Sequence, residues 1–155
     1  MRRDFLLQPA GAGSVRDMNF SVPRSHRVLI ADDEPAIVLS LEFLMRRCGI
    51  VTDIARDGEE ALAKAASFAP DLILLDVMLP RRSGLEVCRA LRGQEATRNI
   101  KIILLTAKGG HTESERGLSM GADLYVVKPF STQELVSQVK RILESATGAT
   151  DGGAR

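Results

Sequence analysis

Asp71-Leu72-Ile73-Leu74-Leu75-Asp76-Val77-Met78-Leu79-Pro80 carries the plainest mark of architecture in the chain. An unbroken apolar run, residues 72–75, lies between two aspartates. Such a run, continuous rather than alternating, marks a strand covered on both faces, as in a parallel sheet between helical layers. Strand-like runs recur at residues 27–31, 51–55, 100–105 and 124–127, and most of the five are continuously apolar. Amphipathic stretches separate them, at about residues 36–48, 59–68, 84–91, 112–120 and 132–144. Several open on helix-start signals: Asp33 two residues before Pro35, Asp57-Gly58 before Glu59, and Ser131 or Thr132 before Glu134. In the first helix, Ile37, Val38, Leu39, Leu41, Phe43, Leu44 and Met45 read mostly as core. Alternating strand and helix units with right-handed crossovers predict an α/β fold, a doubly wound five-stranded parallel sheet with five flanking helices.

Polar residues stand where the strands end. Ile30-Ala31 runs into Asp32-Asp33, Leu74-Leu75 into Asp76, Leu104-Leu105 into Thr106, and Val126-Val127 into Lys128. Open α/β sheets bind ligands outside the carboxyl ends of their strands, where the strand order reverses, so these side chains are expected in one crevice. Two carboxylates about 4 Å apart repel by roughly 4 kcal/mol at an effective dielectric of 20. A site with three must take up a proton or hold a cation. A few hard oxygen ligands suit Mg²⁺, and an aspartate beside the metal and a lysine can attack phosphorus to form an acyl phosphate.

The chain has 155 residues, 45% hydrophobic and 26% charged, enough for one ordinary globular domain and no second one. Residues 1–25, with four Arg and two Asp, read as a flexible N-terminal arm in which Met18 is a candidate start, and the Gly-rich residues 146–155 read as a flexible tail. The formal charge of +1 includes +2 from that arm, which leaves about −1 for the rest. That is no footprint for nucleic acid. Arg2-Arg3 resembles the start of an export signal, but the polar residues 8–17 follow instead of an apolar run. No run approaches the roughly 18 apolar residues of a membrane span, and a cytoplasmic protein is expected. Cys48 and Cys88, in predicted helices and without metal-type spacing, read as free thiols. His26 and His111 are not expected to carry phosphate, and Arg81-Arg82 read as a solvated basic loop.

Four segments together resemble the signatures of response-regulator receiver domains of two-component systems, of the stand-alone chemotaxis and sporulation type. They are Val28-Leu29-Ile30-Ala31-Asp32-Asp33-Glu34-Pro35, the stretch quoted at the outset, Ile103-Leu104-Leu105-Thr106-Ala107, and Gly121-Ala122-Asp123-Leu124-Tyr125-Val126-Val127-Lys128-Pro129-Phe130. The resemblance frames residues 26–145 as a receiver domain with the flavodoxin-like strand order 2-1-3-4-5. It implies Asp76 as phosphoacceptor, with Asp32, Asp33, Asp76 and the Met78 backbone carbonyl as Mg²⁺ ligands. Thr106, the Ala107 N–H and Lys128 are implied as contacts to the phosphoryl group, and Tyr125 as the switch aromatic. Ala36, Ile37, Ser40, Pro129 and Phe130 resemble the patch that docks a kinase. Met78 and Lys108, neither an acid nor an amide able to orient water, imply a long-lived phosphoryl adduct. Lys128-Pro129 is expected to be cis.

The partners so implied are a sensor histidine kinase or histidine phosphotransfer protein and an unknown downstream protein target, with no nucleic acid and no membrane. Dimerisation on phosphorylation through the Tyr125 surface remains open. The chain is expected to be no enzyme beyond its own phosphorylation and slow dephosphorylation. An intermediate of a phosphorelay, or a phosphate sink, is the other role of this class. A Mg²⁺-dependent phosphohydrolase also uses a strand-end aspartate, but it needs a second carboxylate as general acid where Met78 stands.

Overall fold

The computed structural model describes residues 25–107 and 111–154. The readings of the arm at 1–24, its Met18 start and Lys108 lie outside the described residues. Five strands, β1 (Arg27–Ala31), β2 (Val51–Ala55), β3 (Leu72–Asp76), β4 (Lys101–Thr106) and β5 (Leu124–Val127), form one parallel sheet in the order β2-β1-β3-β4-β5. Five helices alternate with them: α1 (Pro35–Arg47), α2 (Gly58–Ser67), α3 (Gly84–Arg92), α4 (His111–Ser119) and α5 (Thr132–Ala154). The expected architecture and strand order are the observed ones.

The sheet divides two apolar layers. On one face Leu29, Ile73, Leu75 and Leu104 meet Ala61 and Ala65 of α2 and Val87, Cys88 and Leu91 of α3. On the other, Val28, Ile30, Leu74 and Leu105 meet Val38, Leu41 and Met45 of α1 and Leu135, Val139 and Leu143 of α5. Every residue of β3 is buried, which is why that strand reads as an unbroken apolar run. Each leucine fully buried there contributes on the order of 2 kcal/mol by its transfer from water.

Local signals set most helix starts. Asp57 accepts a hydrogen bond from the Glu60 N–H (2.8 Å), and Ser131 Oγ accepts one from the Glu134 N–H (3.2 Å). A reciprocal capping box joins Ser83 and Glu86 at the start of α3. Asp33 is not the cap expected before α1. The N-cap is Glu34, with no side-chain cap bond, and the Glu34 N–H donates instead to Asp32 Oδ1 at 2.9 Å.

Two further expectations are corrected. Leu39 and Phe43 are 67% and 60% exposed, because α1 has one neighbouring layer and a 3.6-residue turn carries these positions away from Val38, Leu41 and Met45. Residues 146–154 continue α5 rather than forming a separate tail. Once a long helix is nucleated, each further Gly costs only about 1 kcal/mol against Ala, too little to end it by composition alone.

Both cysteines are free, Cys88 buried and Cys48 exposed at the C-cap of α1. Arg92 staples the end of α3 to the strand starts. Its guanidinium donates to the carbonyls of Gly121 (2.8 Å), Arg98 (2.9 Å) and Ile100 (2.7 Å) and to Asp123 Oδ2 (3.1 Å). Arg92→Leu takes this donor from the three carbonyls, while Asp123 Oδ2 keeps the Ile102 N–H at 2.8 Å, and is expected to cost about 3 kcal/mol in urea denaturation.

Candidate functional site

Parallel register brings the strand ends level. Ala31 pairs with Leu75, Asp76 with Leu105, and Thr106 with Val127. The chain runs from β1 outward to β2 and then returns to β3, so the order reverses between β1 and β3. Asp32 and Asp76 stand at the two lips of that crevice. Oxygens of Asp32, Asp33 and Asp76 lie within 4.8 Å of one another. Asp32, Asp76 and Thr106 are buried, whereas Asp33 is exposed. At 4.8 Å each carboxylate pair repels by roughly 3.5 kcal/mol at an effective dielectric of 20.

Lys128 is the cation that meets them. Its Nζ lies 3.1 Å from Asp32 Oδ2, 3.1 Å from Glu34 Oε1 and 3.5 Å from Asp76 Oδ2. Burial alone would lower its pKa, but the bonds to Glu34 and Asp32 and the charge of Asp76 outweigh it and hold the ammonium above its usual range. Burial pushes the Asp76 carboxyl up, as does the charge of Asp32, against the Met78 N–H that donates to Asp76 Oδ1 at 3.1 Å and the opposing charge of Lys128. One ammonium against four carboxylates leaves the cluster strongly negative. All its free donors are hard oxygens, a set that fits Mg²⁺.

The loop after Asp76 is closely built. Gly84 opens α3 with its N–H on the Val77 carbonyl (2.8 Å), and a Cβ there would fall on the Asp76 carbonyl oxygen and lie 2.9 Å from Val77 Cα. Arg81 has φ +72°, a conformation that costs a residue with a Cβ on the order of 1–3 kcal/mol. Arg81 and Arg82 are exposed, as expected of a solvated loop, yet Arg82 pairs with Glu59 at 3.0 Å.

Ala36, Ile37, Ser40, Pro129 and Phe130 line a single cleft of about 230 Å³ beside Lys128. The peptide Lys128-Pro129 is cis, as expected. The half-buried Tyr125 ring packs over Gly117 of α4, where a Cβ would stand 2.7 Å from the ring, and beside Leu104. Ala107 is exposed just after β4. Glu34, Gly84 and the Arg82–Glu59 pair were not singled out from sequence as parts of the site. The acidic Glu34 directly after Asp32-Asp33 was the readable signal for the first.

Comparison with known proteins supplies the deciding observation: the family model described as response regulator receiver domain matches residues 28–140. The chain belongs to the response regulator receiver family. Receivers are the signalling domains of two-component systems. The alkaline phosphatase synthesis transcriptional regulatory protein PhoP of Bacillus subtilis (strain 168) is 47% identical to this receiver over 117 residues, 76% of this chain and 48% of its own length. The chain spans about half the length of the curated relatives it matches. Among solved structures, the receiver domain of Francisella response regulator 1452 is 33% identical with a TM-score of 0.74, covering 79% of this chain and 99% of its own. A CheY-like receiver from Methanospirillum hungatei JF-1 gives 28% identity and a TM-score of 0.75, covering 81% and 99% respectively. Relatives named as transcriptional regulators run against the expectation that no nucleic-acid partner is involved. Among the described residues, no helix is long and apolar enough to cross a membrane.

Proposed function

We propose that the receiver accepts a phosphoryl group on Asp76 from a histidine kinase or histidine phosphotransfer protein, in a Mg²⁺-dependent reaction that switches a protein-binding surface. The observation that carries this reading is the grouping of a buried Asp76 carboxyl with Asp32 and Asp33 within 4.8 Å and with Lys128 at 3.5 Å. Asp32, Asp33, Asp76 and the Met78 carbonyl would hold the ion. When bound, the ion neutralises charge on the cluster and on the phosphoryl oxygens. An Asp76 oxygen forms the new O–P bond as the P–N bond of a donor phosphohistidine breaks, and the leaving imidazole keeps the electron pair and takes up a proton. Lys128, already aimed at Asp76, steadies one phosphoryl oxygen, and the Thr106 hydroxyl and Ala107 N–H receive another. Tyr125 follows Thr106 inward, which changes the surface of α4, β5 and α5. Carrying a population from 1:99 to 99:1 takes about 5.5 kcal/mol of differential stabilisation, within reach of several charge-assisted bonds.

The test is incubation of the full chain with acetyl phosphate and Mg²⁺, followed by intact-mass measurement. One phosphoryl group should be gained, and none when a chelator replaces Mg²⁺. Uptake that ignores the chelator would defeat the metal-dependent reading. The adduct is expected to outlast several minutes, since Met78 offers attacking water no acid or amide; decay within seconds would contradict this.

The cleft beside Lys128 is, in this reading, the seat of the helices that present a kinase histidine. Ile37→Asp places a charge in it, and phosphotransfer from the cognate kinase is expected to fall at least tenfold, the effect of about 1.4 kcal/mol. Uptake from acetyl phosphate, which needs no docking, should stay at the wild-type rate.

A further inference from the structure

The start of α2 is fastened to the loop that follows Asp76. The Gly58 N–H donates to the Pro80 carbonyl at 3.0 Å. The same carbonyl accepts from the Arg82 N–H at 2.7 Å, which closes a three-residue γ-turn about Arg81 at φ +72°. Outside these backbone bonds, the Arg82 guanidinium meets Glu59 at 3.0 Å and Arg81 Nε stands 3.9 Å from Asp57 Oδ2. There is no room for a side chain at position 58: a Cβ would fall on the carbonyl oxygen and Cβ of Arg82.

A non-glycine residue holds this backbone conformation only where its surroundings impose it. Here the imposing partner is the first turn of α2. The far end of the loop is tied by the Gly84 N–H on the Val77 carbonyl. Met78 lies between these ties and is 66% exposed, so its placement falls mainly to the backbone.

We propose that Gly58 and Glu59 are positioning residues for the metal-holding loop: they fix the turn at Pro80–Arg82, and through it the Met78 carbonyl that completes the oxygen set of Asp32, Asp33 and Asp76. This rests on the Mg²⁺ reading of the cluster given above. Neither residue touches the ion or the phosphoryl group, and their effect passes through the loop. Metal affinity is thereby tied to how α2 seats on the molecule.

Gly58→Ala tests this, because Ala suits a helix better than Gly while its methyl must push the turn aside. Mn²⁺ binding to the full chain, followed by electron paramagnetic resonance at a temperature where circular dichroism shows the variant folded, is expected to weaken by about tenfold, as when the supports of a metal ligand are removed. Gly93→Ala serves as control, since a Cβ there makes only ordinary contacts of 3.6 Å, and should bind like wild type. If Gly58→Ala does not fold, Glu59→Lys sets like charges beside Arg82 and is expected to weaken binding by about threefold. Wild-type affinity in the folded variants, whatever happens to their melting temperatures, overturns the positioning role and leaves Asp76 as acceptor untouched. A wild-type chain that binds no Mn²⁺ overturns the Mg²⁺ reading and this inference with it.

Discussion

Asp76→Asn is expected to lose phosphoryl uptake completely and, in metal-free buffer at neutral pH, to melt at a higher temperature than the wild type. The first half follows because an amide is no nucleophile toward phosphorus. The second follows from the place of the side chain, 6% exposed and near two like charges. Burial first, and then Asp32, hold its folded pKa above the ordinary aspartate value. A carboxyl raised in this way favours the folded state fully below its unfolded pKa, and that contribution is lost as pH climbs through the folded value. At neutral pH the wild type therefore carries an unfavourable charge that Asn removes. Losing the attraction to Lys128 matters less, because that ammonium keeps Asp32 and Glu34 at 3.1 Å, closer than Asp76 at 3.5 Å. Thermal melts of both proteins in chelator should show the gap at pH 7 and its closure as pH falls toward 3.8. A wild type that melts above the variant at pH 7 would refute the account.

Gly84→Ala is expected to damage stability and site together. In a helix, Gly to Ala alone would stabilise by up to about 1 kcal/mol, so the sign of the change is diagnostic. Here the added methyl falls on the Asp76 carbonyl oxygen, and Asp76 is held in place by its pairing with Leu105. Either the start of α3 or the end of β3 must move. We expect a loss of about 3 kcal/mol in urea denaturation, the upper range for overpacking a tight contact. Phosphorylation by acetyl phosphate should slow at least tenfold, about 1.4 kcal/mol in barrier, at temperatures where the variant is folded. Stability at or above wild type would show that α3 has room beside the acceptor.

The sheet and its reactive rim were legible because parallel strands covered on both faces leave little ambiguity. Leu72-Ile73-Leu74-Leu75 has few other homes, and the polar residue that ends each such run marks the rim. What escaped depended on contacts between segments distant in sequence. Glu34 reaches Lys128 across 94 positions, and the lack of space at Gly58 and Gly84 comes from backbone of other elements. Asp33 misled because two competing signals, cap and ligand, share one residue type; backbone geometry gave the hydrogen bond from Glu34 to Asp32 instead. Ser83-x-x-Glu86 is a different case, since its capping pattern stands in the sequence itself. Leu39 and Phe43 show the limit of periodicity, which marks an apolar face without fixing how much of it a neighbour covers.

The two apolar layers are kept apart by the backbone of the sheet itself. Changes of volume in one have no direct route to the other, since independence holds for residues that share no partners. Repacking of either face can therefore drift in evolution while the strands keep their lengths and their rim.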